Sequence, residues 1–159
     1  MDDPIQLATK VASVLTEKNL LLTTAESCSG GGIAHAITEV SGSSGWFECG
    51  FVTYSNASKS ELLDISPALI AQHGSVSEEI AAAMAEGALS NSEAHVAVAT
   101  TGIAGPQGGV PGKPVGTVCF AWSMNGKTHT ERLQFNGDRK SVREQTVVHA
   151  LKGLVQFLT

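Results

Sequence analysis

Thr23-Thr24-Ala25-Glu26-Ser27-Cys28-Ser29-Gly30-Gly31-Gly32 is the stretch whose reading decides the fold. An apolar run, Leu20 to Leu22, leads into it, and a periodic set, Ile33, Ala36, Ile37 and Val40, leads out. That order reads as a strand, a sharp turn and a helix. Three successive glycines let the backbone take dihedrals closed to other residues and approach a ligand closely. The helix start behind them offers unpaired N–H groups and a positive dipole end, an anion site by default. Ser27 and Cys28 stand at the tip, where a nucleophile can be presented. The spacing equally allows a tight βα turn with a serine cap.

Composition narrows the function classes. A chain of 159 residues makes one domain, residues 1–159, around a single core. Its 42% hydrophobic content excludes a disordered chain. A net charge of -5 and the lack of any Lys/Arg run exclude a nucleic-acid partner. No apolar stretch nears the ~18 residues of a membrane span. The acidic start Met1-Asp2-Asp3-Pro4 lacks the positive region of a signal peptide. Cys28, Cys49 and Cys119 are odd in number and scattered, which reads as free thiols in a reducing cytoplasm. With no CxxC and no clustered histidine, neither a metal nor another cofactor is expected.

Outward from the motif, Asp3-Pro4 opens a helix with the stripe Ile5, Ala8, Val11, Ala12 and Leu15, and Lys18-Asn19 ends it. Leu20 to Thr24 forms the first strand, and the following helix runs to about Val40. After the Ser/Gly loop 41–45, Trp46-Phe47 reads as core or subunit contact, which leaves room for a homo-oligomer. Cys49 to Tyr54 is the second strand. Lys59 to Ile65 is helical, Pro67 starts a short helix ending near His73-Gly74, and Ser77-Glu78-Glu79 caps an alanine-rich helix ending near Ser90-Asn91. His95 to Thr100 is a third strand, buried on both faces. A long Gly/Pro-rich loop, Thr101 to Pro114, is of the kind that is usually functional. Val115 to Met124 and Lys127 to Phe135 pair through an Asn125-Gly126 turn. Gly137-Asp138 precedes a last helix. The order gives an α/β layered domain with a mixed, mostly parallel sheet and an antiparallel hairpin at one edge. Ligands in such folds bind at the carboxyl ends of the parallel strands. The opening motif, Tyr54 to Lys59, and Thr100 to Pro106 all lie there.

None of these loops holds a histidine. His35, His73, His95, His129 and His149 lie on helices, strands or the hairpin, so a Ser-His-Asp triad has no support. The segment Tyr54-Ser55-Asn56-Ala57-Ser58-Lys59 offers a lysine instead, which serves serine as a base when neutral. Burial and a place in a helix's first turn both disfavour its cation. Tyr54 at the strand end is positioned to relay a proton between lysine and serine or to donate to substrate.

Four separated motifs, AESCSGG, GFVTYSNASK, TTGIAGPQGGVPGKPVGTV and GDRKSVR, resemble the CinA C-terminal domain family over nearly the whole chain. The resemblance implies a three-layer α/β/α sandwich. It also implies an amidohydrolase that converts nicotinamide mononucleotide and water to nicotinic acid mononucleotide and ammonia, by serine–lysine chemistry. Carried over, the motif serine is Ser27, and the tyrosine and lysine of YSNxxK are Tyr54 and Lys59. Some relatives carry threonine at Ser29. Other members carry a further N-terminal domain similar to molybdopterin-binding proteins, whose activity is not expected here. The implied reaction needs an oxyanion hole, expected from the backbone at Cys28, Ser29 and Gly30, with Gly31 and Asn56 beside the substrate. The phosphate is expected on the backbone of Thr101, Gly102 and Gly105 or on Arg139 and Arg143, four apart on one helix face. Surface pairing of those arginines with Asp138 or Glu144 is the competing reading. Three further readings stay open: a binding module that breaks no bond, a Cys28 nucleophile, and a different amide substrate.

Overall fold

Asp3 starts the first helix, its carboxylate accepting a hydrogen bond from the Ile5 N–H at 3.0 Å. The computed structural model describes residues 2–159; Met1, where the reading of the N-terminus begins, lies outside the described residues. Helix α1 covers Pro4–Lys18 and ends at Asn19 in the left-handed region, φ 57°. The Leu20 N–H still bonds the Leu15 carbonyl. That cap delays strand β1 to Leu22–Glu26, two residues later than expected, and brings Glu26 into the strand. Helix α2 is Gly32–Thr38, β2 is Phe47–Val52, α3 is Asn56–Leu63, α4 is Pro67–His73 and α5 is Glu78–Ser90. Then come β3, Val96–Gly102, β4, Thr117–Met124, β5, Lys127–Gln134, and the long helix α6, Arg139–Leu158. Ser77 caps α5 as read, accepting from the Ile80 N–H.

The sheet order is β2-β1-β3-β4-β5. β1 pairs in parallel with β2 and β3, and β4 pairs antiparallel with β3 and β5. Four strands thus share one direction and β4 alone is reversed. The antiparallel edge begins one pairing earlier than the hairpin. Helices cover both faces. Leu22, Val96, Val98, Phe120 and Trp122 face a layer that includes α1, α2 and α6. On the other face Ala25, Ala97, Ala99 and Ala121 meet Leu63, Ile70, Ile80 and Met84 from α3, α4 and α5. Strand β3 is buried on both faces, as its valine–alanine run requires. Trp46 is buried in the first of these cores, so it is a core residue and no subunit contact need be invoked for it. No helix among the described residues is long and apolar enough to cross a membrane.

Helix α6 lies directly on Trp122. The indole N–H donates to the Ala150 carbonyl at 3.1 Å, and a β-carbon at Gly153 would sit 2.0 Å from Trp122 Cζ2. Overpacking of this kind destabilises by about 1–3 kcal/mol. Alanine gains only ~1 kcal/mol over glycine in a helix. Gly153→Ala is therefore expected to lower the urea midpoint at unchanged slope. An equal or higher midpoint would mean that α6 can move off Trp122 without penalty.

Candidate active site

Three segments meet at the carboxyl ends of β1, β2 and β3. Ser27 follows β1 directly, and its N–H donates to the Thr100 carbonyl at 3.1 Å. Ser55 caps α3 by accepting from the Ser58 N–H, so the helix begins at Asn56, three residues earlier than expected. Lys59 then lies at the end of the first helical turn, on the face that packs on the sheet. Its side chain is 1% exposed. Nζ lies 3.1 Å from Ser27 Oγ, 2.9 Å from the Thr53 carbonyl and 3.3 Å from the Tyr54 carbonyl.

No carboxylate pairs with Lys59 among the described residues. Burial pushes its ammonium below the ordinary lysine value, and the neighbouring Cys28 offsets this only in part. In the neutral form two N–H bonds suit the two carbonyls, and the remaining lone pair accepts the Ser27 O–H. The arrangement is a serine hydroxyl held against a buried amine whose charged form is disfavoured.

Cys28 makes a poor nucleophile. Its side chain packs into the core on the α6 side of the sheet. Burial first, and the Glu26 charge second, push its thiol up to about 12. A thiol so placed stays protonated in neutral water. Cys49 and Cys119 are free thiols as well.

Tyr54 departs from its expected role as a proton relay. Its side chain is 59% exposed, and its hydroxyl accepts from Arg139 Nη2 at 2.9 Å. That hydroxyl bonds neither Ser27 nor Lys59, which touch each other directly. Residues 53 and 54 continue the extended alternation of β2, so Thr53 faces inward and Tyr54 outward.

The motif glycines hold the turn that was expected of them. Gly30 and Gly31 have φ +61° and +96°, and the Gly30 N–H closes a turn onto the Ser27 carbonyl. That bond removes Gly30 from the expected oxyanion donors. The N–H groups of Cys28 and Ser29 donate to no group among the described residues. The Ser29 hydroxyl is spent internally, 2.6 Å from Glu26 Oε1 and 2.9 Å from Thr100 Oγ1. The helix start is spent too. The Ile33 and Ala34 N–H groups donate to the Glu26 carboxylate at 2.9 and 3.1 Å. The anion site expected at α2 is therefore filled by the protein's own side chain. Glu26, fully buried, is the residue that the sequence reading missed.

Thr101 and Gly102 also differ from expectation. They extend β3, pair with Cys119 and Val118 of β4, and so form no phosphate loop. The Thr101 hydroxyl donates to the Ser75 carbonyl. Gly105 lies beyond the strand, and its carbonyl accepts from Arg139 Nη1 at 2.8 Å. Arg143 Nε donates to the Cys28 carbonyl at 3.1 Å, and its guanidinium lies against Gly30. Both arginines therefore turn toward the motif loops. Among the described residues neither forms an ion pair; Asp138 caps α6 and Glu144 pairs with Lys140. The Arg143 terminal nitrogens bond no acceptor among the described residues, which leaves a guanidinium edge for an anion. Asn56 lies apart from this group, lining an open groove of about 600 Å³ with Ala57, Ser60, Pro67 and Ile70.

The model of the CinA C-terminal domain family matches residues 5–158. A nicotinamide-nucleotide amidohydrolase PncC from Pseudomonas putida is 54% identical over 159 residues, covering 100% of this chain and 99% of the relative. The protein of the same name from Escherichia coli K12 is 48% identical, covering 96% of this chain and 93% of the relative. Among solved structures, the competence/damage inducible protein CihA from Agrobacterium tumefaciens superposes with a TM-score of 0.96 at 40% identity, covering 100% of this chain and 98% of that one.

Proposed function

The chain belongs to the CinA C-terminal domain family and is a nicotinamide-nucleotide amidohydrolase by its full-length relatives, and we propose that Ser27 and Lys59 carry out the hydrolysis. The observation behind this reading is the buried amine of Lys59, without a carboxylate partner, 3.1 Å from Ser27 Oγ. Lys59 accepts the hydroxyl proton as Ser27 Oγ bonds to the carboxamide carbon of nicotinamide mononucleotide. The carbonyl oxygen becomes an oxyanion, and the unclaimed Cys28 and Ser29 N–H groups are its donors. The Lys59 ammonium returns its proton to the departing nitrogen, and ammonia leaves. Water then gives a proton to Lys59 and attacks the acyl-enzyme. Its product is nicotinic acid mononucleotide, with the proton restored to Ser27. No relay through Tyr54 is needed, since base and nucleophile touch. A module that only binds anions would have no use for a buried lysine, its charge disfavoured, held against a serine.

The 5′-phosphate falls to α6. Arg143 offers free terminal nitrogens, and Arg139 stands one turn away between Tyr54 and Gly105. The test is ammonia release by the purified protein from nicotinamide mononucleotide, with nicotinamide riboside beside it. A charge-assisted contact contributes about 1.5–3 kcal/mol. The riboside, lacking the phosphate, should therefore show a kcat/KM lower by at least ~10-fold, since each 1.4 kcal/mol is tenfold. Equal kcat/KM would remove the phosphate site, and no ammonia from either compound would remove the activity.

A further inference from the structure

Glu26 stands immediately before Ser27 and is fully buried. A buried carboxylate is tolerated when its oxygens are hydrogen-bonded. Here three donors meet it: the Ser29 hydroxyl at 2.6 Å, the Ile33 N–H at 2.9 Å and the Ala34 N–H at 3.1 Å. No cation pairs with it among the described residues. The carboxylate thus does the work of a helix cap, from an unusual place. A cap normally comes from the residue just before the helix. In α2 that residue is Gly31, with φ +96° and no side chain to offer. The capping group arrives from the strand, seven residues before Ile33, across the nucleophile turn.

A Ser or Asp just before the helix would cap α2 and leave the turn out of the bond. Capping from residue 26 makes the strand end, the turn and the helix start one closed unit. The turn is held within that unit at three more points. Ser27 N–H donates to the Thr100 carbonyl, Ser29 Oγ touches Thr100 Oγ1, and Arg143 Nε holds the Cys28 carbonyl from outside. Between these points lie the Cys28 and Ser29 N–H groups, the only unclaimed donors next to Ser27 in the turn among the described residues apart from Gly31.

We infer that Glu26 is a positioning residue for hydrolysis: by joining Ser29 to the first turn of α2 it aims the Cys28 and Ser29 N–H groups at the point where the oxyanion forms. The inference rests on the reading of Ser27 as nucleophile. Donors aimed at an oxyanion act in the transition state and little in the bound substrate. Disturbing them lowers kcat and leaves KM in place.

Glu26→Gln keeps one oxygen and sets an amide N–H₂ against the Ala34 N–H. Glu26→Asp keeps the charge but is one methylene too short to span both partners. Both variants are expected to fall in kcat by about 10²-fold, the effect of a misplacement near 1 Å. KM should stay within about threefold of wild type. The acid limb of the rate should stay where wild type has it, because Glu26 makes no contact with Lys59. A cooperative melt checks that each variant is folded. A variant that melts lower yet keeps wild-type kcat would overturn the inference and leave Glu26 a stabiliser of α2. A raised KM with a moved acid limb would overturn it as well, by making Lys59 the group disturbed. Should neither variant fold, Ser29→Ala, which removes one of the three donors, carries the same test: kcat down at constant KM supports the inference, and unchanged kcat ends it. Ser27→Ala runs beside them. Full turnover there refutes the serine reading itself, whereas an inactive Ser27→Ala beside a fully active Glu26→Gln refutes only the role of Glu26.

Discussion

Ser27→Ala is expected to remain folded and to lose at least ~10³-fold in kcat for ammonia release from nicotinamide mononucleotide, the scale seen when a nucleophile is removed. The substitution deletes one oxygen from a nearly buried position, so packing changes little. Lys59 keeps its two carbonyl partners. What disappears is the atom proposed to bond to the carboxamide carbon. The Cys28 thiol is the nearest alternative, but it packs on the other side of the sheet and is pushed up to about 12. Cys28→Ala should accordingly retain most of its turnover. Near-normal rate in Ser27→Ala, lost only on adding Cys28→Ala, would transfer the chemistry to sulfur.

Lys59→Arg should be nearly as inactive as Lys59→Ala, with kcat lower by roughly 10²–10⁴-fold, the range that a general base contributes. Arginine keeps a positive charge and similar length, but stays protonated at any usable pH. It cannot accept the Ser27 proton, and it puts a permanent charge into a site with no carboxylate to meet it. The sign of the pH dependence follows from the same burial. An ordinary lysine titrates at ~10.4. Because burial holds Lys59 below that value, the neutral base accumulates as pH rises through the lowered value. The kcat/KM profile should therefore climb with pH on one acid limb belonging to Lys59. No limb near ~6.5 is expected, since the site contains no histidine. An active Lys59→Arg enzyme would reduce the residue to a positive charge and leave the base unassigned.

Much of this arrangement was legible in the chain before any coordinates. Strand, glycine turn and helix follow from the local pattern around Ser27, and the unbroken valine–alanine run of β3 announces a strand buried on both faces. The lack of histidine in three converging loops singled out Lys59. The misreadings have physical causes. The first strand starts later and α3 earlier than expected because Asn19 and Ser55 cap helices through their own local bonds, and such ends are set by geometry beyond hydrophobic period. Thr101 and Gly102 read locally as loop because their partners, Cys119 and Val118, lie far along the chain. Nearness in sequence to Lys59 suggests a relay role for Tyr54, but extended backbone turns neighbouring side chains opposite ways. Glu26 lies beside the serine and glycines that dominate the local pattern. A signal was present: Leu22, Thr24 and Glu26 share one face of β1, the face that α2 must cover, and a carboxylate there needs donors.

Lys59 reaches Ser27 from the α3 layer, while Arg139 and Arg143 come from α6 on the opposite side of the sheet. On the proposed reading, the base and the anion-binding arginines thus come from different halves of the sandwich. For a lineage of such enzymes this separation is a freedom. Mutation along α6 at positions other than Arg143, which holds the Cys28 carbonyl, can exchange one phosphorylated amide for another without touching Lys59. Descendants of this scaffold should diverge first in what they accept and last in how they cut.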